Sequence, residues 1–158
     1  MNRHTPEEEQ NIATVNAIFE GPADFDRVTA FAEDAVWWNG LPRIPGAEGV
    51  TEHRGIEAIK RILYGAGQPH EGTGIDSYDL ATNQFTDIVV LADGDYVVRQ
   101  HTQHSRTLRG KPYRNVYCFV FKFNREGKIQ YLTEHWNTFY ANKVLFDNWD
   151  FEPAHPEG

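Results

Sequence analysis

Cysteine occurs once in this 158-residue sequence, at Cys118, so no internal disulfide can form. Set among strand-forming residues, it reads as a small core side chain. Basic residues are outnumbered, 15 Lys and Arg against 23 Asp and Glu, for a net charge of −8. Binding along a phosphate backbone rests on clustered Lys and Arg, so no nucleic-acid partner is expected. No apolar run approaches a membrane span, and residues 1–10 hold no apolar segment of a secretory signal. These absences describe a soluble, cytoplasmic protein with no membrane partner.

Several chemistries lack their motif. There is no His-Glu-x-x-His and no Cys cluster. His101 and His104, three apart on a strand, point to opposite faces and cannot share an ion without a bulge, and Glu134 and His135 also face opposite ways. No metal and no cofactor are expected. No Gly-x-Ser-x-Gly elbow is present. Residues 65–74 hold four glycines, but no Gly-Lys-Ser/Thr follows, which speaks against a phosphate cradle. Without repeats or low-complexity stretches, residues 1–158 read as one domain with one sizeable core.

Rings are what the chain has in abundance: 10 Phe, 7 Tyr and 4 Trp, 13% of the residues. That suits a thick core or a cavity that stacks flat ligands. Thr5-Pro6-Glu7-Glu8 is a helix start, with Thr5 as cap, Pro6 where a missing N–H costs nothing, and Glu8 closing a capping box. Ile12, Val15 and Phe19 recur at helical spacing, and Gly21-Pro22 ends the helix. Asp24 opens a second helix with Phe25, Val28 and Phe31 inward, leading to a short strand over residues 35–39. Residues 40–50, with two prolines and three glycines, form a loop. A third helix covers residues 55–64, and residues 65–74 form a loop that can serve as a lid. From Ile75 on the pattern is strand: residues 76–83, 85–91, a turn at Ala92-Asp93-Gly94-Asp95, then 96–107. Helices followed by antiparallel strands predict an α+β architecture, with the helices on one face of a curved sheet.

Residues 113–146 carry the strongest pattern: two long strands around a turn at Asn124-Arg125-Glu126-Gly127, then a short helix. Alternation places Glu134 on one face with Leu132 and Trp136. A carboxylate between Leu and Trp lies at a surface edge or in a pocket, and the pocket is the reading adopted. On the strand before, Val97, Arg99, His101 and Gln103 share a face too polar for a closed apolar core. Trp37, Trp38 and Asn39 end the first strand.

The element order, and above all Gly-Lys-Ile…Glu-His-Trp-Asn…Phe-Tyr between Gly127 and Tyr140, resembles the SnoaL-like branch of the nuclear-transport-factor-2-like superfamily. This branch includes limonene epoxide hydrolase, ketosteroid isomerase, scytalone dehydratase, polyketide cyclases and the phenazine biosynthesis A/B proteins. The resemblance implies a cone-shaped barrel, a curved antiparallel sheet wrapped around three N-terminal helices and enclosing a deep apolar pocket. It also implies a homodimer through the outer sheet face. Against the epoxide hydrolase, Arg99 keeps the Arg of an Asp-Arg-Asp triad, His101 replaces the first Asp and Glu134 stands for the second. Asn39 matches its Asn, and Trp37, which accepts no hydrogen bond, stands where it has Tyr. In the phenazine proteins a Glu at the Glu134 position shuttles a proton, and the His, Asp, Tyr and Asn of scytalone dehydratase are similar in kind to His101, Glu134, Tyr117 and Asn39.

The resulting expectation is a catalytic trio, Glu134, His101 and Arg99, in a ring-lined pocket. Burial against Trp37, Trp38 and Trp136 raises the pKa of Glu134 and Arg99 lowers it, while Asn39 and Tyr117 or Tyr113 donate to a developing oxyanion. The activity this implies is that of a cofactor-free lyase, dehydratase or isomerase on a small hydrophobic, aromatic molecule. Its alternatives are an epoxide hydrolase and a non-catalytic binding or assembly domain.

Overall fold

The structure, a computed structural model, describes residues 4–40, 52–65, 67–68 and 76–145. Most of residues 40–50 and 65–74, expected as loops, and residues 146–158, with Trp149 and Phe151, lie outside the described residues. Helix α1 spans Pro6–Glu20 and starts as its sequence dictates. The Glu8 N–H donates to the Thr5 hydroxyl at 3.2 Å, and the Thr5 N–H donates to the Glu8 carboxylate at 2.8 Å. The other oxygen of Glu8 accepts from the Gly94 N–H at 2.8 Å, which docks a distant hairpin on the helix start.

The second helix expected at Asp24 is instead a 3-10 turn, Arg27–Ala30, with Asp26 capping it through the Val28 N–H. Phe31 does not continue it. It opens strand β1, Phe31–Trp38, because it pairs with Ile129 and is buried there. Sheet pairing outweighs the helical spacing of Phe25, Val28 and Phe31. Strand β2 (Glu52–Arg54) and helix α2 (Ile56–Gly65) follow.

Residues expected as two strands form one, β3, Tyr78–Asp93, whose register shifts between Asp79 and Gln84 and again between Thr86 and Val89. Asp87 sits in the second shift at φ 53, and its carboxylate accepts from the hydroxyls of Thr86 and Thr102. These bulges bend the strand. Strands β4 (Tyr96–Thr107), β5 (Pro112–Phe123) and β6 (Ile129–Trp136) complete the meander, and α3 (Thr138–Leu145) closes the described chain.

The strand order is β2-β1-β6-β5-β4-β3. Two expectations are corrected by it. The sheet is mixed, since β1 runs parallel to β6 while the remaining pairs are antiparallel. The sheet is also open, with β2 and β3 at its edges, so the barrel does not close. Nor are the three α-helices all N-terminal: α3 follows the last strand. On the inner face, Tyr117, Phe119, Phe121 and Phe123 of β5 are buried with Ile129, Leu132 and the α1 residues Val15 and Ile18. That apolar burial holds the helices on the sheet, at roughly 1.5–3 kcal/mol for each large side chain.

Candidate active site

Strand register fixes where the polar groups stand. Glu134 lies opposite Phe119 of β5, and Phe119 lies opposite Arg99 of β4. The next row is Trp136, Tyr117 and His101. Glu134 and Arg99 therefore share the inner face but are two strands apart, about 10 Å between backbones, with the Phe119 ring between them. No hydrogen bond or ion pair joins Glu134 to Arg99 or His101.

Glu134 lines a cavity of about 180 Å³. Its walls are mostly apolar, with Phe19, Phe31, Trp37, Phe119, Phe121 and Leu132 among them. The Trp37 indole N–H donates to Oε2 of Glu134 at 2.9 Å. Burial pushes the Glu134 pKa from an ordinary 4.5 up to about 8, and the Trp37 bond offsets only part of that. Arg99 has no share in this balance. The carboxyl is thus mostly protonated at neutral pH and ionises just above it.

A chain of three phenols ends in the same cavity. The Tyr113 and Tyr117 hydroxyls lie 2.7 Å apart, and those of Tyr117 and Tyr78 lie 2.9 Å apart. The Asn115 amide donates to the Tyr113 oxygen at 2.9 Å. Each phenol can donate and accept, so either hydroxyl of each pair can be the donor; with Tyr113 donating to Tyr117 and Tyr117 to Tyr78, the Tyr78 proton remains for a ligand. Tyr78 and Tyr117 line the cavity. Burial raises the pKa of all three, so they stay neutral. Trp136 stacks on Tyr117 at 5.4 Å and anchors its indole N–H on the Asn39 carbonyl at 2.7 Å.

Arg99 and His101 form a separate cluster. Arg99 is fully buried, and its guanidinium donates to Asn16 at 2.7 Å and to Glu20 at 2.8 Å, both on α1. Its Nε donates to Nδ1 of His101 at 3.2 Å, so the proton of the neutral imidazole is on Nε2. That Nε2 is buried with no hydrogen-bond partner. The ring is enclosed by Phe19, Phe85, Tyr117 and Phe119, with centroids 4.7–5.8 Å away. Burial and, secondly, the Arg99 charge lower the His101 pKa from 6.5 to about 4.

Of the nine residues singled out in the sequence, Glu134, Trp37 and Tyr117 line the cavity. Tyr113 and Trp136 stand behind Tyr117, and Arg99 and His101 stand behind Phe19 and Phe119. Two are turned elsewhere. Trp38 follows Trp37 on the strand, so it occupies the other face, 5.1 Å from the His135 ring. The Asn39 amide nitrogen lies 3.2 Å from Nε2 of His53, a histidine of β2. Arg27, Tyr78, Asn83 and Gln103 also line the cavity. Gln103 donates to Ser105, which donates to Asn83. Tyr78 becomes visible only once β3 is in register. Glu20 carried a signal: it lies four residues after Asn16, on one helix face. Among the described residues no group of three or more His, Cys, Asp or Glu is placed to hold a metal ion.

Solved structures share this architecture at low identity. A Bacillus subtilis protein described as a candidate isomerase is 18% identical, with a TM-score of 0.65 over 89% of this chain and 95% of that one. A phenazine biosynthesis-related protein from Pseudomonas aeruginosa is 16% identical, with a TM-score of 0.64 over 92% of this chain and 86% of that one. A nuclear-transport-factor-2-like protein from Burkholderia xenovorans is 14% identical, with a TM-score of 0.61 over 91% and 99%. No curated protein matches the sequence. The SnoaL-like domain matches residues 12–132, from within α1 to Leu132 of β6, and the chain belongs to that family.

Proposed function

We propose that the protein is a cofactor-independent acid/base enzyme, a lyase, dehydratase or isomerase, acting on a small hydrophobic, aromatic molecule. The observation that carries this reading is Glu134: a carboxyl in an apolar cavity, held by one indole N–H, with a pKa of about 8. A general acid/base works best when its pKa lies near the working pH. As the carboxylate, Glu134 takes a proton from a carbon made acidic by a neighbouring carbonyl or arene. As the acid, it returns that proton at another carbon (isomerisation) or gives it to a departing oxygen (elimination of water). Tyr78, at the open end of the phenol chain, donates to the oxyanion that develops meanwhile, with Tyr117 and Tyr113 behind it. The stacked rings supply a flat wall for the substrate. An engineered cavity of about 150 Å³ holds benzene, so the space described suits a single ring rather than a polycycle.

Hydrolysis of an epoxide receives less support. It needs charged partners around a water, whereas Arg99 is bonded to Glu20 and separated from Glu134 by Phe119. His101, with its lowered pKa, fits better as a neutral positioning residue for Arg99 and the rings than as a proton carrier. We further propose that the chain works as a homodimer through the outer sheet face, where Val89, Leu91 and Val116 are each about half exposed.

The test is a thermal-shift screen of single-ring aryl ketones, enones and aryl alcohols, since a ligand that binds only the folded state raises Tm. Each hit is then followed by proton NMR in D₂O for deuterium uptake, double-bond movement or loss of water. Turnover that falls at least about a hundredfold in Glu134→Gln, with binding kept, supports the reading. Binding without turnover in the wild type identifies a binding module instead, and solvent oxygen in the product of an epoxide identifies a hydrolase.

A further inference from the structure

Besides Glu134, one other charged side chain among the described residues lines the cavity, Arg27. It is the first residue of the 3-10 turn, whose Asp26 cap fixes the backbone beneath it. Its Nη2 donates to the Leu63 carbonyl at 3.1 Å, near the end of α2. Among the described residues no carboxylate forms an ion pair with it, although the protein carries a large acidic excess. The adjacent Asp26 is turned to the Val28 N–H and the Tyr64 hydroxyl. A guanidinium has five N–H donors and stays charged in any protein. Here it is half-buried against Phe31, Ile62 and Leu63 of the cavity wall, with one protein acceptor.

We propose that Arg27 is the subsite for a carboxylate on the ligand, so that the molecule taken up is a single-ring aromatic carboxylate with its anionic group on Arg27. This deepens the acid/base reading of Glu134 and rests on it for the chemistry, though not for the binding. Three observations converge. The cavity has room for one ring with small substituents. A partly buried cation without a counter-ion gains from a planar anion that accepts two parallel hydrogen bonds. With Glu134 held mostly protonated at neutral pH, Arg27 leaves the cavity positive, ready for one negative charge. A residue that only capped the end of α2 would need the Leu63 bond and nothing more. It would then leave ligand preference untouched, and this separates the two roles.

The experiment compares 4-hydroxybenzoate with its uncharged counterpart 4-hydroxybenzamide by calorimetry on the wild type, Arg27→Gln and Glu134→Gln. The wild type is expected to bind the carboxylate at least about tenfold more tightly than the amide, the scale of a charge-assisted pair. In Arg27→Gln the ratio collapses to about unity through loss of the carboxylate affinity, while the amide affinity stays. Glu134→Gln keeps the preference, so this result stands even if Glu134 proves to have no catalytic role. Equal affinities in the wild type, no binding of either compound at millimolar concentration, or an unchanged ratio in Arg27→Gln would each overturn the proposal. Should Arg27→Gln fail to fold, the wild-type ratio decides alone.

Discussion

Two residues, Glu134 and His101, place opposite pH slopes on stability. Glu134 binds its proton more tightly folded (about 8) than its ordinary 4.5, so stability falls as pH rises between those values and levels off above 8. His101 is held neutral, with a folded pKa of about 4 against 6.5, so its contribution is fully present above pH 6.5 and is lost as pH falls towards 4. The slopes of these two groups nearly cancel between pH 4.5 and 6.5, and the net loss from them is expected between pH 6.5 and 8. Denaturant midpoints across that range check it. Glu134→Gln should remove the alkaline decline and exceed the wild type in stability above pH 8 by a few kcal/mol, since each pKa unit is worth about 1.4 kcal/mol. Trp37→Phe removes the one hydrogen bond that lowers the Glu134 pKa, so it should move that titration further upward. Once a substrate is found, Tyr78→Phe should cost on the order of a hundredfold in kcat, as for loss of an oxyanion donor, with a modest fall in Tm because the buried Tyr117 hydroxyl loses a partner.

At the scale of elements, the Arg99 cluster clamps α1 on the sheet. Arg99 is buried and charged, and Glu20 at the helix end is its counter-ion. Glu20→Ala should therefore destabilise by ~2–3 kcal/mol in urea unfolding, below the usual cost of breaking a buried pair because Glu20 itself is half exposed. A loss within ~0.5 kcal/mol, typical of a surface pair, would show that no clamp exists. How far such elements are legible in the sequence depends on where their partners lie. The capping box of α1, the hairpins at Gly94 and Gly127 and the shared face of Leu132, Glu134 and Trp136 rest on local chemistry and two-residue periodicity, and they stand as read. Phe31 departs from its helical spacing because its strand partner, Ile129, is almost a hundred residues away. Arg99 and Glu134 occupy one face as alternation requires, but alternation says nothing about the aromatic strand position set between them. Tyr78 and Arg27 have no motif to mark them, since their roles arise from packing between distant elements.

For the whole molecule, the open mixed sheet has two faces with different tasks. The inner face holds the cavity, with its rings, its phenol chain and its isolated carboxyl. The outer face presents Val89, Leu91 and Val116, and the proposed homodimer should cover them. Sedimentation should show a dimer that Val116→Glu converts to monomer without loss of Tm beyond the dimer's contribution, whereas a wild-type monomer at all concentrations contradicts it. The account stands or falls with the protonation state of one group. Carboxyl ¹³C NMR of glutamate-labelled protein, with Glu134 assigned by the signal missing from Glu134→Gln, reads that state directly. The prediction is an inflection near pH 8, shifted upward in Trp37→Phe; a Glu134 signal titrating near 4.5 would mean that the carboxyl is in water and the proposed chemistry has no acid or base.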